Sequence, residues 1–111
     1  MHILLMADGE TSRSDLVNGA SDTKRLAKRK SSAMQACEIL GCASVQLLTL
    51  PDNRMDSLAL LDVVKQIEKF INTHNPTTVF THHSGDVNID HRVVHDAVIA
   101  ACRPQPMFSV R

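Results

Sequence analysis

Thr77-Thr78-Val79-Phe80-Thr81-His82-His83-Ser84-Gly85-Asp86-Val87-Asn88-Ile89-Asp90-His91-Arg92 decides how this chain is read. Residues 77–81 are β-branched or aromatic and read as a strand. The polar run that follows carries three of the six histidines, two carboxylates, an amide, a glycine and an arginine within Thr81 to Arg92. From about Asp90 to Cys102 the pattern turns helical. A strand that ends in a polar loop and then enters a helix is where open α/β sheets keep their sites.

Upstream, residues 2–7 (His-Ile-Leu-Leu-Met-Ala) form a continuous apolar run without alternation. This marks a strand buried on both faces, as in a parallel sheet. Asp8-Gly9 ends it with turn chemistry, and residues 10–22 read as a loop. Ser21-Asp22-Thr23 offers helix-capping oxygens. From there Leu26, Ala33, Ala36, Cys37 and Leu40 recur at helical spacing, and Gly41 is placed to stop the helix. Ser44 to Leu50 is a second strand, broken by the polar loop Pro51-Asp52-Asn53-Arg54. Asp56 and Ser57 are placed to cap a helix running to about Thr73. Its stripe is Leu58, Leu61, Val64, Ile67 and Ile71, and Asn75-Pro76 ends it. Beyond the third helix, Met107 to Val110 is read as a short fourth strand.

The alternation of strands and helices predicts one α/β domain over residues 1–111, a mainly parallel sheet with helices on both faces. Right-handed crossovers would gather Asp8-Gly9, Pro51 to Arg54 and His82 to His91 on one rim.

Composition narrows the partners. Twelve basic and twelve acidic residues balance, so no general polyanion or membrane surface is implied. Three Phe, with no Trp or Tyr, make a poor base-stacking platform, which argues against nucleic acid. No apolar run approaches the ~20 residues that span a bilayer, and Met1 to Met6 reads as a strand and not a leader. Cys37, Cys42 and Cys102 read as reduced, buried thiols of a cytoplasmic protein.

A phosphate loop, a dinucleotide fingerprint and a nucleophile elbow are all absent from the sequence. A metal reading fits the residue types better, because His and Asp are suitable ligands for zinc or a similar divalent ion. His83, Asp86 and His91 lie on one short loop. His91 and His95 stand at i, i+4, although His95 also reads as an exposed helix-surface residue. At most one of His82 and His83 should face a site. Asp90 as helix cap, aiming His91 over the rim, is the pair that stands out. A polar loop whose side chains satisfy its own backbone is the competing reading. Among Lys24, Arg25, Lys28, Arg29 and Lys30, a solvated helix face competes with an arginine that reaches a polar substrate.

His83-Ser-Gly-Asp86-Val-Asn88-Ile-Asp90-His91-Arg92, followed by Ala101-Cys102-Arg103-Pro104, resembles the second signature of the LmbE/PIG-L-like deacetylase family. Met6-Ala7-Asp8-Gly9, Arg29 ahead of Ala36 and Leu40-Gly41, and Leu50-Pro51-Asp52-x-Arg54-x-Asp56 resemble its other segments in the right order. The resemblance implies a Rossmann-like three-layer sandwich and zinc-dependent removal of an acetyl group from N-acetylglucosamine-type conjugates. It implies His91 as a zinc ligand, and Asn88, where relatives carry an oxyanion-stabilising histidine, with Asp90 as catalytic-site residues. It also implies Arg29, Asp52 and Arg54 near the substrate. In the mechanism implied, zinc polarises the amide carbonyl and activates water, and an aspartate takes the water's proton.

The family's first signature, Ala-His-Pro-Asp-Asp-Glu, which supplies two metal ligands and the catalytic aspartate, occurs nowhere in these residues. The expectation is therefore an internal piece of the family fold, truncated at both ends and catalytically incomplete as a single chain. Its open sheet edges would drive homo-oligomerisation. Two other outcomes stay open: a hydrolase completed by oligomerisation, and a non-enzymatic α/β module binding a small ligand or protein.

Overall fold

The computed structural model describes residues 1–9 and 19–110, with the side chains of residues 19–22 excepted. Of the loop expected at residues 10–22, residues 10–18 lie outside the described residues, and residues 19–22 are helical. The order is β1 (His2–Ala7), α1 (Gly19–Leu40), β2 (Ser44–Leu50), a 3-10 turn (Met55–Ser57), α2 (Leu60–His74) and α3 (Ile89–Ala101). The chain divides into two compact units, Met1–Asp52 and Asn53–Arg111. It is a mixed α/β protein with a two-stranded parallel sheet and three helices.

In the first unit β1 and β2 pair in parallel from His2 opposite Ser44 to Ala7 opposite Leu50, with a register shift between Leu5 and Ala7. Parallel pairing puts the carboxyl ends of both strands, Asp8-Gly9 and Pro51, at the same end of the sheet. The deep burial expected of β1 is not met. Met6 alone in the strand is buried, and Leu5 is 37% exposed. A parallel strand reads as apolar throughout because both faces are normally covered, and here that cover is thin.

Helix α1 spans Gly19–Leu40, so it includes Ser21-Asp22-Thr23 and begins, among the described residues, four residues ahead of the expected point. Its C-terminus follows the expectation. Gly41 adopts φ +69°, the left-handed value that glycine takes without penalty. The backbone N–H of Gly41 donates to the Glu38 carbonyl at 3.2 Å and that of Cys42 to the Cys37 carbonyl at 3.0 Å. These two bonds are the paired closure of a Schellman motif. Cys37 and Cys42 are joined by a disulfide with Cα atoms 5.1 Å apart, which corrects the reading of both as reduced thiols. Cys102 alone is free.

The second unit is held by α2 and α3. Val63, Val64, Ile67 and Ile71 of α2 are buried, as are Val94, Ala97, Val98 and Ala101 of α3. Ala97 and Ala101, one turn apart, let helix backbones approach closely. The expected stripe is partly displaced: Leu61 is 62% exposed and Val63 takes its place. The cause lies at the helix start. Met55–Ser57 forms a separate 3-10 turn, so α2 begins at Leu60, capped by Ala59 with no side-chain bond, and Asp56 and Ser57 do not cap it. Asn75 ends α2 in the left-handed conformation (φ 46°, ψ 52°), with Pro76 behind it.

Two expected strands are absent. Residues 77–81 and 107–110 carry no β-ladder among the described residues. A strand exists only by pairing, and β-propensity in Thr-Thr-Val-Phe-Thr cannot supply the partner.

Candidate functional site

The loop between α2 and α3 builds its geometry from its own side chains. Asn88 is the N-cap of α3; its side-chain oxygen accepts from the backbone N–H of Asp90 at 2.9 Å and of His91 at 3.3 Å. One oxygen of Asp86 accepts from the Asn88 N–H at 2.8 Å. The His83 Nδ1 accepts from the Gly85 N–H at 2.9 Å. To this extent the competing reading holds, since the polar side chains do satisfy the local backbone.

Three contacts go beyond that. The second Asp86 oxygen lies 3.0 Å from His91 Nδ1. That hydrogen bond, followed by the one from the Asn88 N–H, holds the Asp86 carboxyl below its ordinary pKa. The His91 side chain is 41% exposed, and Nε2 is the ring nitrogen that Asp86 does not hold. A histidine held at one ring nitrogen by a carboxylate, with the other free, is the form in which metal-binding histidines are oriented. Second, the His82 ring stacks on His91, with centroids 4.0 Å apart and planes 6° from parallel. His82 is exposed as a residue, yet one ring face is covered. Lost solvation, followed by the charge of His91, keeps its pKa below the usual imidazole value. Third, His95 Nδ1 lies 2.8 Å from the His82 carbonyl, so His95 clamps the loop from α3 and is neither a bare surface residue nor paired with His91.

Arg92 completes the frame. Its guanidinium donates to the carbonyls of Asp86 at 2.8 Å and Val87 at 3.1 Å. It thereby fixes the turn that holds Asp86 against His91.

Asp90 has a different task from the helix cap expected of it. It is 5% exposed, the one buried charged residue among those described. Its carboxylate accepts from the backbone N–H of Asn53 and, at 3.1 Å, of Met55. A buried carboxylate needs such donors. The result ties the backbone on either side of Arg54 to the first turn of α3. The Arg54 side chain is exposed, and its carbonyl accepts from the Ser57 hydroxyl.

Arg29 and Asp52 belong to the first unit. A side-chain carbon placed on Gly9 would come within 2.5 Å of the Arg29 guanidinium, so that guanidinium lies directly over the turn that ends β1. Asp52 is half-buried just past the end of β2.

The structure thus brings together His82, Asp86 and His91, where the sequence had grouped His83, Asp86 and His91. The roles of Arg92 and His95 had gone unread, although the i, i+4 spacing of His95 from His91 signalled that both lie on one helix face. No three of the His, Cys, Asp and Glu side chains among the described residues group to hold a metal ion. Among the described residues, His91 is an imidazole oriented by a carboxylate at one ring nitrogen.

With its signature loop arranged in this way, the chain belongs to the family described as PIG-L: GlcNAc-PI de-N-acetylase, whose model it matches over residues 1–102. It is 31% identical over 98 residues to the "Uncharacterized deacetylase YaiS" of Escherichia coli (strain K12), an alignment that covers 84% of this chain and 52% of that protein. The chain therefore spans about half the length of that relative. No solved structure matches it. No helix among the described residues is long and apolar enough to cross a membrane.

Proposed function

We propose that this chain supplies the His91 wall of a zinc-dependent de-N-acetylase site acting on N-acetylglucosamine-type conjugates, and that it is catalytically incomplete by itself. Family membership supports the reaction class. The observation that carries the role of His91 is its Nδ1 contact to Asp86, which leaves Nε2 as the ligating atom. Asn88 spends its oxygen on the α3 backbone, which leaves its side-chain N–H₂ to donate to a developing oxyanion. Asp90 positions the Arg54 loop beside the His91 turn, and Arg54 is the substrate-side polar group of this unit. The missing ligands would come from outside these residues. A strand supplied by a second copy to the unladdered segment 77–81 would build the three-layer sheet expected of the fold.

Zinc titration followed by NMR of the histidine side chains tests the role of His91. The expected result is weak binding that shifts the His91 resonances and is lost in His91→Ala. Zinc that leaves those resonances unmoved overturns it. Acetate release from an N-acetylglucosamine conjugate by the purified chain would overturn the incompleteness. Sedimentation at one chain mass would overturn the oligomer.

A further inference from the structure

The disulfide in the first unit sits in a place that backbone geometry prepares for it. In a Schellman motif the residues that carry the long closing bond, three positions inside the helix end and two beyond it, also bring their side chains together, usually as an apolar contact. Here those residues are Cys37 and Cys42. The bonds Gly41 N–H to Glu38 and Cys42 N–H to Cys37, with Gly41 at φ +69°, hold the two Cα atoms 5.1 Å apart, inside the range a disulfide needs. None of this requires the sulfurs to be bonded. Both closing bonds join backbone groups, so the motif as such does not depend on the sulfur–sulfur bond.

Three further features bear on exchange. The bridge closes a loop of sequence separation 5, so it constrains the unfolded chain far less than a long-range disulfide does. Cys37 is 7% exposed, whereas Cys42 is half-buried, so Cys42 is the more accessible residue of the pair. Both cysteines line an open cleft between α1 and the start of β2, which Met34, Gln35, Ser44 and Val45 also line.

We propose that Cys37–Cys42 is a reversible redox site that exchanges with small-molecule thiols of the glutathione type while the fold is kept. In the reducing direction a glutathione thiolate attacks the Cys42 sulfur, the Cys37–Cys42 bond breaks, and Cys37 leaves as the thiolate. A second glutathione thiolate attacks the glutathione sulfur of the mixed disulfide and releases Cys42 as the thiolate. Two glutathiones are oxidised to one glutathione disulfide, two electrons reduce the protein disulfide, and the protons given up by the two glutathiones return to the two cysteines. The oxidising direction is the reverse.

The test equilibrates the whole chain with graded ratios of reduced and oxidised glutathione, quenches with an alkylating agent under denaturing conditions, and counts labels by mass spectrometry. The expected result is one label at the oxidising end and three at the reducing end, with unchanged helical circular dichroism. The single-glutathione adduct should map to Cys42. Gly41→Ala sharpens the test, because nothing lies within 4 Å of the added carbon and only the left-handed φ is penalised. The dithiol form can relax out of that turn and the disulfide form cannot, so the equilibrium should move severalfold toward the dithiol. Cys42→Ser should keep the wild-type helical signal. Reduction only after unfolding, loss of helix on reduction, an adduct on Cys37, or an unmoved equilibrium in Gly41→Ala would each overturn the proposal.

Discussion

The two units hold together by different means. In the second, α2 and α3 bury eight aliphatic side chains between Val63 and Ala101, and Met55 lies buried beside them. In the first, Met6 and Cys37 are the buried apolar residues among those described; large apolar side chains are exposed in both units, among them Leu5, Met34, Ile39 and Leu40 in the first and Leu61, Phe80, Val87 and Ile99 in the second. Two amphipathic helices can satisfy each other by packing one stripe on one stripe. A parallel strand pair has two faces and two outer edges, and two strands with one helix cannot cover them all. The apolar density of β1 therefore exceeds the burial that the described residues provide. The site follows the same division, with His82, Asp86, His91, Arg92 and His95 fixed within the well-packed unit.

Core truncation gives the largest effect and the most direct way to break this contrast. Ile67→Ala should destabilise the protein by about 2–5 kcal/mol, and Leu5→Ala by less than about 1 kcal/mol, measured by urea denaturation. An equal cost at both positions would mean that β1 is covered in solution.

Asp90 comes next. Asp90→Ala leaves the N–H groups of Asn53 and Met55 without their acceptor and should cost about 2–4 kcal/mol. Asp90→Asn keeps an acceptor oxygen and should cost less. If the Ala variant is as stable as the parent by thermal melting, the buried carboxylate does not hold the 53–55 loop.

A smaller, pH-dependent effect belongs to Glu68 on α2. Hydrogen bonds from Lys65 and then Arg103, each 3.0 Å away, hold its carboxyl below the ordinary value. A carboxyl whose folded pKa is depressed stabilises the fold above its unfolded pKa of about 4.3. That contribution fades as pH falls through the lower folded value. Both cationic partners are exposed, so the gain should stay below about 1 kcal/mol. The stability difference between parent and Glu68→Gln should be present at pH 6 and vanish toward pH 2. A difference that does not change with pH would exclude the ion pairs as its source.

The smallest effect separates the cysteines. Burial raises the Cys102 thiol above its ordinary pKa, so the native protein should alkylate there slowly at pH 7, with the rate still rising above pH 9. Rapid labelling at neutral pH would show that the end of α3 opens.

The sequence by itself determined the three helices and the first two strands, because apolar periodicity, Gly41 and Asn75-Pro76 act over a few residues. It also marked the loop that carries the site, through the density of His and Asp between Thr81 and Arg92. Other features depend on partners distant along the chain, and only the tertiary structure decided them. Thr77 to Thr81 has strand chemistry but no ladder, because pairing is a property of two segments. Asp90 reads as a helix cap, yet its carboxylate meets backbone donors at Asn53 and Met55, more than thirty residues upstream. His82 rather than His83 reaches His91, because Gly85 draws the His83 ring back into its own turn. Cys37 and Cys42 read as unrelated thiols until the left-handed Gly41 set them side by side.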